Sequence, residues 1–143
     1  MFDQARASFK DGDFDKALEQ VNAAIEKRPS DATLHEFKAL CLFAQGKFEE
    51  AAPVLYAVIS AGPGWDAETL SSFYADYDTY QKQFKALRDF VAKEPDTGFG
   101  HFVLAYHYLV QGQKTAAVKE LREVTRTQPG DKLSAELVKV LAA

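Results

Sequence analysis

Three histidines, one cysteine and one run mixing aromatic with acidic residues are the groups in this 143-residue chain whose chemistry could carry an activity. His35, His101 and His107 are the metal-ligand candidates. On a helix His101 and His107 would stand about 240° apart, so they cannot ligate one ion from a common face. Cys41 sits between Leu40 and Leu42. A nucleophilic thiol needs a base held against it, and this setting reads instead as a buried thiol. The stretch SSFYADYDTY, Ser71 to Tyr80, sets Phe73, Tyr74, Tyr77 and Tyr80 around Asp76 and Asp78. Aromatics beside acids can stack a sugar, hold a cation or bind a metal; the same residues can also be a core meeting a helix cap. Neither GxxxxGK[ST] nor GxGxxG occurs. GPGW (62–65) has no lysine after it and reads as a connector. Paired acids such as Glu49 and Glu50, or Asp11 and Asp13, fall in turns or first helical turns, where they favour the positive end of the helix dipole. No catalytic residue, metal site or cofactor is expected.

Composition narrows the class further. A net charge of −4 with no basic cluster would repel phosphates, which argues against a nucleic-acid binder. No apolar run approaches the roughly 20 residues that span a bilayer, so no membrane insertion is expected. MFDQARASFK lacks the apolar segment of a secretory leader. One cysteine cannot form an internal disulfide, which fits a reducing compartment such as the cytoplasm. Hydrophobic content of 47% and charged content of 27% suit a globular chain with one core.

The elements that must position these residues are set by a repeat. GDFDKALEQVNAAIEKRP (12–29) aligns with GKFEEAAPVLYAVISAGP (46–63). Gly12 maps to Gly46, Phe14 to Phe48, Ala17 to Ala51, Val21 to Leu55, Ala24 to Val58 and Pro29 to Pro63, each 34 residues on. GQKTAAVKELREVTRTQP (112–129) is a further copy, and YQKQFKALRDFVAKEP (80–95) keeps the aromatic-to-proline length. Phe14, Ala17, Leu18, Val21, Ala24 and Ile25 form an amphipathic helix stripe. Proline ends that helix, and Asp31, Thr97 or Asp131 starts the next. A second helix then runs to a glycine where the chain reverses. Each unit is a helical hairpin unable to bury its apolar face alone, so the units must stack. The predicted helices are about 2–11, 14–28, 32–45, 48–61, 66–75, 79–93, 98–111, 114–127 and 132–142.

The 34-residue period with its glycine, aromatic, alanine and proline slots resembles the tetratricopeptide repeat family across essentially the whole chain. Gly46, Phe48, Ala51 and Pro63 match in the second unit, and Gly112, Ala117 and Pro129 in the fourth. His35 or His101 replaces the early aromatic, a shared slot that favours packing, and the third unit carries Asp78 and Gln83 in place of its glycine and alanine. The resemblance implies an all-α, right-handed solenoid of about four hairpins, with repeats near 1–30, 31–64, 65–96 and 97–130 in a single domain, and a capping helix over 131–143. Met1 falls a few residues inside the start of a full first helix, which leaves open an excision from a longer protein. The third hairpin's first helix is shortened by nearly a turn, with Asp66 as its cap and Asp78 capping the helix after it.

In this family the first helix of each pair lines a groove that holds peptides or helices of other proteins. Register then places Thr33, Glu36, Leu40 and Phe43 on that groove in unit two, and Phe99, Phe102, Tyr106 and Leu109 in unit four. Leu70, Tyr74 and Tyr77 would extend the lining across unit three, while His101, Leu104, Ala105 and Tyr108 face the core. The expected function is a protein-interaction scaffold, not an enzyme, whose partner is a peptide or amphipathic helix. The alternatives are self-association into a homo-oligomer, or a stripe covered within the chain. A small-ligand or catalytic domain would instead require a closed pocket joining His107 to a polar network.

Overall fold

The computed structural model describes residues 2–143. The helices are α1 (Phe2–Lys10), α2 (Phe14–Lys27), α3 (Ala32–Ala44), α4 (Phe48–Ala61), α5 (Ala67–Ser71), α6 (Tyr77–Lys93), α7 (Gly98–Val110), α8 (Lys114–Thr127) and α9 (Lys132–Ala142). The chain is an all-α solenoid of helical hairpins. Three turns repeat one solution. Gly12, Gly46 and Gly112 take φ of +83°, +76° and +76°. At each, the glycine N–H and the next N–H reach back to the preceding helix, as in Gly46 N to Phe43 O at 3.0 Å and Lys47 N to Leu42 O at 2.8 Å. This is the Schellman closure of a helix C-terminus. Aspartates cap the starts of α2, α3, α5 and α9: Asp13, Asp31, Asp66 and Asp131 each accept a backbone N–H from the first turn. Ala17, Ala39, Ala51, Ala105 and Ala117 are fully buried, so the small-residue slots lie where helices pack closely.

The third hairpin departs from the pattern. Its turn has no glycine, and α5 stops at Ser71 instead of reaching 75. The next two turns tighten, Phe73 N bonding Leu70 O at 3.2 Å and Tyr74 N bonding Ser71 O at 3.1 Å. Both rings are thereby buried. The cap of α6 is Asp76, not Asp78, because Asp76 Oδ1 accepts both Thr79 N at 2.9 Å and Thr79 Oγ1 at 3.0 Å. Asp78 lies in the first turn that this cap starts.

With α5 so short, α4 packs against α7 instead, and α7 also meets α6 and α8. Aromatic contacts trace the consequence. Phe73 lies 5.2 Å from Phe37 and 6.4 Å from Phe2, and Tyr74 lies 4.9 Å from Phe9. Tyr80 is 5.9 Å from Phe43. The third and fourth hairpins thus fold onto the faces of α1 and α3 that a regular array leaves open.

Candidate interaction surfaces

Two polar nodes sit inside the aromatic packing. Glu36 is buried, and its Oε2 accepts the Trp65 backbone N–H at 2.8 Å and the Tyr106 hydroxyl. Burial raises its pKa, opposed by these two bonds. Burial and the neighbouring carboxylate push the Tyr106 hydroxyl up as well. A Cβ on Gly64 would stand 2.8 Å from Glu36 Oε2. The backbone of GPGW therefore comes this close to the carboxylate only because residue 64 has no side chain, and the connector is part of the node.

At the second node, the Tyr80 oxygen accepts a hydrogen bond from Gln111 Nε2 at 3.1 Å, and the Tyr80 hydroxyl also hydrogen-bonds His107 Nδ1 at 2.9 Å. The His107 ring lies 4.0 Å from that of Phe43, and desolvation lowers its pKa to about 3. It is a neutral, packed imidazole. Tyr80 and Gln111 line a cleft of about 530 Å³, but His107 stays behind them and does not line it.

The other histidines are turn braces. His35 Nε2 bonds Pro29 O at 2.7 Å, and His101 Nε2 bonds Pro95 O at 2.6 Å. Each grips the proline carbonyl six residues back, which explains why the slot recurs. His101 Nδ1 also meets Glu120 at 3.0 Å. Among the described residues, no three His, Cys, Asp or Glu side chains converge as a metal site. Cys41 is fully buried, and burial pushes its thiol up to about 12.

The nine residues expected to line an open groove separate into three groups. Leu40, Phe43, Leu70 and Tyr74 are buried in the chain's own core. Tyr74 also donates to Gln83 Oε1 at 2.5 Å. For these four, cover from within the chain is the outcome, because the third hairpin turns its aromatics inward. Tyr77 is 51% exposed at the mouth of the 530 Å³ cleft. Phe99, Phe102, Tyr106 and Leu109 run along the seam between α4 and α7. Phe102 and Tyr106 are buried there, and Phe99 and Leu109 are half-buried. Two clefts open on this seam. One, about 320 Å³, holds Phe99 and Phe102 with Pro53 and Tyr56. The other, about 370 Å³, holds Tyr106 and Leu109 with Ile59, Trp65 and Leu137. Sequence reasoning missed Tyr56, which is 36% exposed with its ring 5.6 Å from that of Phe102. Its signal was an aromatic on the face of α4 away from α3, unreadable until α7 was known to lie there.

Residues 2–64, which build α1 to α4, match the tetratricopeptide repeat family. The match spans both of these hairpins and less than half of the chain. Repeats of this family serve generally as non-catalytic scaffolds for interaction and assembly, and a scaffold role is the broad assignment the match supports. The crystal structure of MamA is similar to this chain at 18% identity and a TM-score of 0.41, covering 94% of this chain and 80% of MamA. None of the curated proteins compared matches the chain. Beyond the matched tetratricopeptide repeats, α7 and α8 keep the turn glycine and the buried alanine, whereas α5 and α6 do not.

Proposed function

We propose that the chain is an interaction scaffold that engages an apolar or amphipathic helix of another protein along the α4–α7 seam. The observation that carries this reading is Tyr56, a large exposed ring set against Phe102 in one of the two apolar clefts on the seam. Phe102 and Leu109 mark those clefts seven residues apart on α7, about 10 Å along the axis. Anchors at i and i+7 on a partner helix match that interval. Affinity would rest on a few aromatic contacts in the desolvated centre. Phe102 and Tyr106 also hold the fold, so the test belongs at the accessible ring. In affinity capture from native extract, Tyr56→Glu should lose a species retained by the wild type while its far-UV signal is unchanged. Equal retention by the two proteins overturns the reading.

The alternative is self-association, favoured by Val140, which is 63% exposed on the terminal helix α9. It predicts a mass in light scattering that rises with concentration and falls on Val140→Glu.

A further inference from the structure

A second surface lies on the other side of α7 and has different chemistry. His101, Leu104 and Tyr108 face a groove of about 1020 Å³ walled by α6, α8 and the end of α9. Its floor is apolar, with Val91, Leu104 and Val118 buried and Tyr108 half-buried. Its rim is cationic: Arg88 from α6, and Lys114, Lys119 and Arg122 from α8. The two carboxylates in the lining are already engaged, Glu120 by His101 and Glu123 by Arg126. Among the described residues, none of the four rim cations has a carboxylate within 4.0 Å. Unpaired positive charge is thus gathered over an apolar floor, on a chain whose net charge is −4.

We propose that this groove docks an acidic amphipathic segment of another protein, apolar side chains down on Leu104 and Tyr108 and carboxylates at the rim. The floor is mostly aliphatic, with Tyr108 its one aromatic ring, so it offers no run of platforms for successive bases, which argues against single-stranded nucleic acid. Arg88 lies 5.3 Å from the Phe84 ring and also lines the adjoining cleft, where Lys82 adds a further cation beside Asp78, while Lys85 there is paired with Asp89 at 2.8 Å. The two cavities thus share Arg88 on α6. Charge of this kind sets partner choice and association rate more than raw affinity. The proposal goes beyond the seam reading and uses none of its residues.

The test uses a fluorescein-labelled synthetic peptide of about 18 residues, five turns of helix, with leucines on one face and glutamates on its flanks. Two controls carry lysine for glutamate, or serine for leucine. Anisotropy should report binding of the acidic amphipathic peptide alone, weakened at least about tenfold by R88E with R122E. Raising salt from about 0.05 to about 0.3 M should weaken it too. K114E with K119E changes two exposed side chains and serves if the first pair disturbs folding. Tyr56→Glu should leave this binding unchanged, which separates it from the seam. Equal binding of the lysine peptide, full binding by both charge-reversed variants, displacement by single-stranded RNA, or no binding of the acidic peptide would each overturn the proposal.

Discussion

His107 carries no charge where it sits, because burial holds its pKa near 3 against 6.5 for a free imidazole. Between those values the unfolded chain takes up a proton that the folded chain does not. Stability attributable to this residue is intact above about pH 6.5 and falls as the pH drops below it. Glu36 acts with the opposite sign. Its raised pKa makes folding relatively more favourable as the pH falls toward 4.5, the ordinary glutamate value. The His107 interval runs down from 6.5, so urea midpoints at pH 5 should lie below those at pH 7.5, and His107→Phe should remove most of that difference. An undiminished difference in the variant would assign acid sensitivity elsewhere. Glu36→Ala leaves the Tyr106 hydroxyl and the Trp65 N–H without their acceptor, a cost of about 2–3 kcal/mol. Glu36→Gln retains an acceptor oxygen and should cost less in the same denaturation series. A shared packing role for His35 and His101 was legible in the sequence from their equal slots in the repeat, but the proline carbonyl that each grips was not. Glu36 was not: the repeat register put it on an open groove, and only the return of α7 and GPGW buries it.

At the scale of elements, the glycine that closes a hairpin decides its shape. Gly46 has open space where a Cβ would go, so Gly46→Ala costs only the strain of φ +76°, about 1–2 kcal/mol. Gly130 also has open space and no positive φ, so Gly130→Ala should be close to neutral. Comparing the two thermal unfolding midpoints isolates the backbone term. Helix positions were readable because the period, the proline stops and the glycine turns agree. They failed only at 66–78, where those markers are missing. There Asp76 outcompetes Asp78 as the cap because Thr79 supplies it with both a backbone N–H and a hydroxyl.

For the molecule as a whole, the shortened α5 converts an open stack into a structure closed on itself. A regular array holds nearest-neighbour contacts only, and its units can unfold in sequence. Here Phe37 meets Phe73, Phe43 meets His107, and Glu36 meets Tyr106, so hairpins far apart in the chain share one core. No local pattern could reveal this, because which aromatics cover which depends on how far the third hairpin shifts. Trp65 reports the join, being the single tryptophan and packed 4.8 Å from Phe73. Its fluorescence and the helical signal should therefore change at one urea concentration, a two-state transition. Residues 2–64 alone would leave Phe9, Phe37 and Phe43 without their covering rings, and should bind a hydrophobic dye that the full chain does not. Tryptophan emission that moves well before the helical signal would mean that the third and fourth hairpins detach as a unit. The groove of α1 and α3 would then open by local unfolding, and the buried aromatics would become a second-state binding face.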